Sequence, residues 1–306
     1  VSNEVFLDSA TLRENVVSLI QNVGYLPRSR RASRINVSFY VDTSGYATQP
    51  QNIKLHKGIV ATTTAFTNQS FSFVSLDEIT KPVFNRRAVF TDIELLEGNY
   101  ITTNFTVDSY NPNQRFILPN SGIDTTTIRV TVKPSQNSNT SRVYTQTGSV
   151  ICGCHGTSMT NQSLFKIDDT SAVFWIQEIE GERYELIFGD GVFGKKLEAP
   201  SYIEVSYVVT NGKDGNGINS LTFNGKLTSG RGGLALTSGV SLLNVSNPSA
   251  GGASIESIAS IKKYGPRVYS SQNRAVTADD YEALIPTVFP ETEAVSCFGG
   301  EELTPP

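Results

Sequence analysis

Apolar and polar residues alternate one for one in several separated stretches of this chain, and this period-two pattern limits the possible folds more than any other feature. Its clearest instances are Ile35, Val37, Phe39 and Val41, then Ile128, Val130 and Val132, then Ile203, Val205, Tyr207 and Val209. Side chains of a β-strand point alternately to the two faces of a sheet, so these stretches predict half-buried strands. Turn-forming segments separate them. We expect a mainly β fold of antiparallel sandwich-like or barrel-like lobes.

Helical periodicity replaces this alternation towards both ends. Residues 8–27 predict an amphipathic helix, started by Ser9 or Thr11 and ended at Gly24. Beyond a Pro/Gly/Ser-rich linker, residues 254–265 predict a second helix that begins at Ser254 and stops at Gly265.

A third helix is predicted from Thr277, whose capping box uses Asp280, to Pro286, and a strand is predicted over "TEAVSCF". We therefore divide the chain into an N-terminal helix and connector (1–34), a β-rich body that can form two lobes (35–248), and a small C-terminal α+β unit (249–306). The last unit is expected to be truncated, as in a piece of a longer protein.

Composition argues against several classes of partner. No apolar run approaches the ~20 residues of a membrane helix. The net charge is −4, and phosphate recognition needs clustered basic residues, so nucleic acid is not expected as the main partner. One basic cluster, at residues 28–34, predicts a solvated connector or a set of interface ion pairs, with a nucleic-acid arm as the alternative.

The stretch "FGDGVFGKKL" resembles a phosphate-binding loop. Gly189, Gly194 and Lys195 fit its spacing, but Lys196 replaces the hydroxyl residue that holds magnesium. A strand pattern with Pro200 follows, whereas such a loop must lead into a helix. The stretch is instead interpreted as a β-hairpin turn formed by Asp190-Gly191, with Gly189 and Gly194 at bends or bulges.

Neither metal nor catalytic chemistry is predicted. Cys152, Cys154 and His155 supply at most three zinc ligands, and the only other histidine is His56. The three cysteines are too few for a disulfide framework and fit a reducing compartment. The pairs Asp168-Asp169 and Asp279-Asp280 are interpreted as a turn and a helix start. We expect no enzyme activity and no cofactor.

Three blocks, in order, resemble the baseplate J-like family of contractile-tail phages, and within it the C-terminal part of wedge proteins. They are "NVGYLPRSRRASRINVSFYV" (Asn22–Val41), "FWIQEIEGERYELIFGDGVFGKKLEAPSYIEVSYVVTNGKDGNG" (Phe174–Gly217) and "SIESIASIKKYGPRVYSSQNRAVTADDYEALI" (Ser254–Ile285). The chain lacks the long N-terminal region of a full wedge protein.

The resemblance implies a structural subunit of the virion tail baseplate, assembled in the host bacterial cytoplasm. It implies a homodimer, a ring of dimers around the central hub, rearrangement on sheath contraction, and contacts with other wedge and hub proteins. It implies no catalytic residues. We also expect no nucleic-acid, membrane or small-molecule partner.

Contact surfaces are predicted on the helices, although the same side chains could equally pack within the chain. The candidate interface residues are Leu12, Val16, Leu19, Ile258, Tyr281 and Leu284. Two alternatives stay open. A receptor- or carbohydrate-binding tail module would use exposed aromatic residues such as Tyr110, Tyr264 and Tyr269, and an enzyme such as a cell-wall hydrolase is the third class.

Overall fold

The computed structural model describes most of the chain. The described residues are 4–46, 48–63, 69–111, 113–147, 167–230, 233, 235–236, 238–241, 244–271, 274–289, 292 and 294–299. Cys152, Cys154 and His155 lie outside them.

Three α-helices, a short 3-10 helix (Gly212–Gly215) and seventeen strands make up the described fold, and the predicted class is confirmed: mainly β, with one N-terminal α-helix and α-helices at the C-terminal end. The helices are α1 (Arg13–Gln21), α2 (Ile258–Ser271) and α3 (Ala278–Val288). The strands are β1 (Arg34–Asp42), β2 (Asn52–Leu55), β3 (Gly58–Thr62), β4 (Ser72–Ser75), β5 (Ile79–Pro82), β6 (Arg87–Glu97), β7 (Asn99–Thr106), β8 (Phe116–Ile117), β9 (Ile123–Lys133), β10 (Arg142–Gln146), β11 (Val173–Ile179), β12 (Arg183–Phe188), β13 (Tyr202–Val209), β14 (Thr222–Phe223), β15 (Leu227–Ser229), β16 (Ala235–Leu236) and β17 (Asn244–Val245).

The strands form three sheets. A six-stranded sheet has the order β14-β3-β4-β6-β1-β17, a seven-stranded sheet the order β7-β13-β9-β10-β11-β12-β8, and a four-stranded sheet the order β16-β15-β2-β5. The described pairs are antiparallel except β10 and β11, which run parallel. One continuous stretch, residues 99–209, supplies the whole seven-stranded sheet, while the other two sheets draw on segments from both sides of it. The seven-stranded sheet is thus an insertion into the rest of the β body.

The alternating residues pack as their period requires. Along β1, Ile35, Val37, Phe39 and Val41 are buried, and Phe39 stacks on Phe90 of β6 with ring centroids 4.7 Å apart. They belong to a core shared by the six- and four-stranded sheets. A second core fills the seven-stranded sheet and includes the predicted residues of β9 and β13.

A one-residue connection, Gly98, joins the two large sheets. Strand β6 ends at Glu97 in one sheet and β7 begins at Asn99 in the other. Gly98 has a φ of 130°, and a Cβ there would overlap the carbonyl oxygen of Val209. The fully buried Glu97 carboxylate accepts hydrogen bonds from Thr210 Oγ1 (2.6 Å) and Asn211 Nδ2 (2.7 Å), so the crossing is also fixed by polar contacts.

Helix α1 is shorter than predicted. Its N-cap is Leu12, not Ser9 or Thr11, and the Glu4 carboxylate accepts hydrogen bonds from the N–H groups of Thr11 and Leu12 just before the helix. At the other end Gly24 takes a φ of 78°, and the N–H of Tyr25 donates to the carbonyl of Ile20, a common helix closure with glycine in the left-handed conformation.

Helix α2 does not stop at Gly265 as predicted, and it begins at Ile258, beyond Ser254. Gly265 is instead the point of close approach to α1, since a Cβ there would lie 2.5 Å from Cδ1 of Ile20. The helix continues through Pro266 to Ser271. Contacts with α1 therefore override the local stop signals.

The start of α3 agrees with its prediction and its end does not. Thr277 and Asp280 form the predicted capping box, but the helix passes through Pro286 and ends at Val288. The strand predicted over "TEAVSCF" is not found within residues 294–299, where the described chain supplies no pairing strand.

Candidate assembly surface

The glycine loop, residues 189–196, is compact but is not the predicted β-hairpin turn. Strand β12 before it pairs with β11 and β8, whereas β13 after it pairs with β7 and β9. Both edges of β12 are therefore occupied, and β13 cannot fold back on it. The hairpin interpretation was wrong because turn residues do not reveal that a distant strand, β8, takes the second edge of β12.

The hydrogen bonds and close contacts within the loop explain why glycine occupies positions 189 and 191. Asp190 Oδ1 accepts from the N–H groups of Val192 and Phe193, both at 2.8 Å, and these bonds hold the pKa of that carboxyl below its usual value. Gly191 has a φ of 95°, and its N–H donates to the carbonyl of Gly194. A Cβ on Gly189 would overlap that same carbonyl. The N–H groups of Gly191, Val192 and Phe193 thus donate to oxygens of the loop itself. Those of Gly194 and Lys195 donate to the carbonyls of Asp168 and Ser171, whereas a phosphate cradle directs such donors to a ligand.

The arginine-rich connector forms ion pairs inside the chain. Arg28 Nε lies 3.8 Å from Glu256, Arg30 3.3 Å from Glu182, and Arg34 3.3 Å from Glu94. These carboxylates belong to three different parts of the fold, so the connector is a junction for the helices and both large sheets. These ion pairs lie within the chain, whereas the sequence predicted a solvated connector or ion pairs at an interface.

A buried carboxylate holds the helices to the connector. The carboxylate of Glu256, just before α2, accepts hydrogen bonds from the Tyr25 hydroxyl (2.9 Å), the main-chain N–H of Arg28 (2.9 Å) and Ser260 Oγ (2.6 Å). Burial, together with this neighbouring carboxylate, raises the pKa of Tyr25 far above its usual value. The Tyr25 hydroxyl therefore stays protonated and acts as a donor.

A second ion pair fixes α1 to the seven-stranded sheet. Arg13 Nε lies 2.8 Å from Glu178 Oε1 on β11, and the guanidinium also donates to the carbonyl of Glu256. Gln21 adds a hydrogen bond from its side chain to the carbonyl of Glu178, at 2.7 Å. Burial raises the pKa of the Glu178 carboxyl, and Arg13 opposes that shift.

The six candidate interface residues fall into three groups. Val16 is fully buried, and Leu19 and Ile258 pack against the same small core, which joins α1 to α2. In this conformation those three stabilise the chain itself, because Val16 and Leu19 of α1 pack in the same core as Ile258 of α2. Leu284 is half-buried. Leu12 and Tyr281 remain at the surface, 57% and 49% exposed, and stay candidates for contact with another subunit.

Further apolar side chains lie exposed around the helices. They are Val5, Phe6, Tyr269, Val276, Phe289 and Phe298. Single exposed apolar residues are ordinary, but a concentration of them on a small unit is typical of interaction surfaces.

Of the other tyrosines considered for ligand binding, Tyr110 is 94% exposed after β7, and Tyr264 on α2 is half-buried beside Lys263.

A hydroxyl, an imidazole and a carboxylate meet on the four-stranded sheet, and sequence reasoning did not find this group. His56 Nε2 lies 2.8 Å from Thr228 Oγ1, and His56 Nδ1 lies 3.1 Å from Glu78 Oε1. The order resembles that of a hydrolytic triad. However, Thr228 is only 7% exposed and lies within β15 between two pairing strands, and Lys54 also pairs with Glu78. A substrate carbonyl has no access to such a hydroxyl, so the group is a structural contact.

No metal site or membrane helix is found in the described part of the chain. Nowhere among the residues given above do three or more His, Cys, Asp or Glu side chains gather closely enough to hold a metal ion. The described helices are also too short or too polar to cross a membrane.

Sequence comparison finds a distant relative among curated proteins. The chain is 23% identical, over 309 residues, to the baseplate wedge protein gp6 of Enterobacteria phage T4. The match covers 92% of this chain and 41% of the relative, so the chain spans about two-fifths of the length of the curated relative it matches. No protein-family model matches. The predicted resemblance to a wedge protein is confirmed as a distant relationship, and membership of the baseplate J-like family stays a prediction.

Proposed function

We propose that this chain is a structural subunit of a bacteriophage contractile-tail baseplate, and that it lies in the baseplate wedges. The observation that carries the proposal is the similarity to a wedge protein over 92% of the chain. The exposed apolar residues around the helices support it, because an assembly subunit must bury such side chains against neighbours.

The finer proposal is that copies of the chain dimerise, join neighbouring wedges into a ring around the central hub, and change their packing when the sheath contracts. A closed ring of two-fold dimers needs two different interfaces, one within each dimer and one between dimers. Leu12 and Tyr281 are our candidates for one of them. The partners would be this chain itself and other wedge and hub proteins, in a virion baseplate assembled in the host bacterial cytoplasm.

The proposed role is structural and not enzymatic. The group formed by His56, Glu78 and Thr228 has the order of a catalytic triad, but the Thr228 hydroxyl is buried within a strand and cannot reach a substrate, which supports the structural role. The net charge of −4 is the reason we propose no nucleic-acid partner. We likewise propose no membrane partner, small-molecule substrate, cofactor or metal.

Immunoelectron microscopy tests the proposed role. Antibodies raised against the purified chain should label contractile-tail particles at the end of the tail that carries the baseplate, both before and after contraction. Label on the capsid or along the sheath, or particles without label, would contradict the proposal. Antibody preabsorbed with the purified chain provides the control.

A receptor- or carbohydrate-binding module is the second candidate, and the 94% exposure of Tyr110 is the observation that favours it. Exposed aromatic rings in loops can stack on sugar faces. A glycan array probed with the chain and with Tyr110→Ala separates the two roles: binding that disappears in the variant supports the receptor module, and an absence of binding supports the scaffold.

A further inference from the structure

The seven-stranded sheet has one long strand at its edge. Strand β7 has eight residues and pairs on one side with β13. Among the described strands, the other sheet edges are short: β8, β14, β16 and β17 have two residues each, and β5 has four and ends in Lys81-Pro82. Short strands, lysine and proline protect an edge from pairing with another chain. Strand β7 has none of these protections.

The backbone groups on the outer side of β7 belong to its even-numbered residues. The Val107 N–H donates to the Ser201 carbonyl, in register with the ladder that pairs Thr106 with Tyr202. Residues of an antiparallel strand alternate between bonding to the neighbour and pointing away from it. Thr102 and Asn104 therefore direct their N–H and C=O groups outwards. A Gln114 side chain already donates to the outward carbonyl of Thr106, at 2.8 Å.

The side chains of β7 also suit a strand partner. The odd-numbered Ile101 and Phe105 pack against the core of the seven-stranded sheet, and Thr103 bonds to the Tyr207 hydroxyl at 2.9 Å. Thr102 and Asn104 are exposed on the other face. The sequence of the strand, NYITTNFT, contains no charge.

We propose that β7 pairs with β7 of a second copy of this chain, antiparallel across a two-fold axis. Thr102 of one copy then faces Asn104 of the other, and Thr103 faces Thr103 at the axis. This register joins the outward groups of both strands through about four backbone hydrogen bonds. Two seven-stranded sheets become one continuous sheet.

The neutral composition favours a second copy over a foreign strand. A two-fold contact brings identical residues close together, so any charge near the axis would oppose its own copy. An edge that recruits a different protein has no such restriction and commonly uses complementary charge. Strand β7 has no charged residue anywhere along its length, as a two-fold contact between identical strands requires.

This inference rests on the proposed function, because it assigns one of the two interfaces that a ring of dimers requires. The β7 edge lies on the seven-stranded sheet, whereas Leu12 and Tyr281 lie on the helices. The two surfaces can therefore be changed independently.

Paired charge variants test the contact. In Thr102→Lys/Asn104→Lys, lysines of the two copies face each other, and in Thr102→Glu/Asn104→Glu, glutamates do. Sedimentation velocity on the full chain should show a dimer for the unchanged protein and, for each variant alone, a dissociation constant raised at least about a hundredfold. An equimolar mixture should restore the dimer, because lysine then faces glutamate.

Two further variants serve as controls. Thr80→Lys adds a lysine to the exposed side of β5, on a different sheet, and should leave the dimer unchanged. Asn104→Pro removes an outward N–H without removing a bond to β13, so it should weaken the dimer while the unfolding temperature changes little. It tests the contact even if one of the charged variants does not fold.

Each possible result decides the matter. A monomeric unchanged chain at high concentration, or charged variants that dimerise as it does, would overturn the inference. If both variants are monomeric and their mixture stays monomeric, two copies do not pair in the proposed register, and the inference is overturned. These failures leave baseplate labelling intact, whereas failure of the proposed function would remove that labelling.

Discussion

Arg13 and Glu178 form an ion pair across 165 positions of the chain, with Arg13 Nε 2.8 Å from Glu178 Oε1. Arg13 is the first residue of α1, and Glu178 lies near the end of β11. The Glu178 side chain is almost completely buried. The pair therefore fixes the N-terminal helix to a sheet whose first strand begins only at Asn99.

Replacing Arg13 with alanine should destabilise the chain by about 3 kcal/mol, because it leaves a buried carboxylate without its partner. Chemical denaturation measures this as a lower free energy of unfolding. Arg13→Ala/Glu178→Gln removes the charge as well and should recover part of the loss. A single variant within about 0.5 kcal/mol of the unchanged chain would contradict the assigned role of the pair.

The loss caused by Arg13→Ala should depend on pH. Burial raises the pKa of Glu178 above 4.5, so the folded chain binds this proton more tightly than the unfolded chain does. Such a group favours the folded state below its unfolded pKa, and this contribution disappears as the pH rises through the folded pKa. Without Arg13 the folded pKa rises further. The stability difference should therefore be larger near pH 7 than near about pH 4.5, and an equal difference at both values would count against this explanation.

Gly265→Ala should destabilise the helical unit although alanine is the better helix former by about 1 kcal/mol. The new Cβ would lie 2.5 Å from Cδ1 of the buried Ile20, and overpacking of this kind costs about 1–3 kcal/mol. Gly265→Ala/Ile20→Ala should cost less than the sum of the two single changes. Additive losses would show that the two residues do not share this contact.

Gly189→Ala should disturb the glycine loop, since its Cβ would overlap the Gly194 carbonyl. We expect a loss of about 2 kcal/mol and faster proteolysis within residues 189–196. Gly45→Ala is the matched control, because a Cβ there meets nothing within 4 Å. Equal thermal unfolding temperatures for the two variants would refute the close approach.

Leu12→Ser and Tyr281→Ser test the helical contact surface. Both side chains are exposed, and serine is a better N-cap than leucine at position 12, so neither change should lower the free energy of unfolding by more than about 0.5 kcal/mol. If these residues contact another subunit, sedimentation equilibrium should show weaker self-association. Val16→Ser is the contrasting variant: it should unfold the helical unit, because Val16 lies in the core between α1 and α2.

The sequence predicted strands well and their partners poorly. Alternation in β1, β9 and β13 identified the buried face of each strand, because that face depends only on local periodicity. The division into three sheets depends on contacts between distant segments. Strand β11 pairs with β12 across the short turn between them, but nothing local to β12 indicates that the distant β8 takes its other edge, and the hairpin interpretation failed for that reason.

The helices illustrate the same limit. The capping box at Thr277 was predictable because all its atoms lie within one turn. Gly265 and Pro286 act as stops in isolation but lie inside helices, where packing outweighs propensity. The group formed by His56, Glu78 and Thr228 leaves no sequence signal, since residues so far apart meet only in the folded sheet.

Gly98 gives the fold a mechanical property. The chain runs from β6 in one large sheet to β7 in the other through this single residue, while the buried Glu97 beside it is hydrogen-bonded to Thr210 and Asn211. Force applied to either sheet is therefore transmitted along the backbone through Gly98, whose conformation the neighbouring atoms hold fixed. The two sheets should respond to tension as one stiff link.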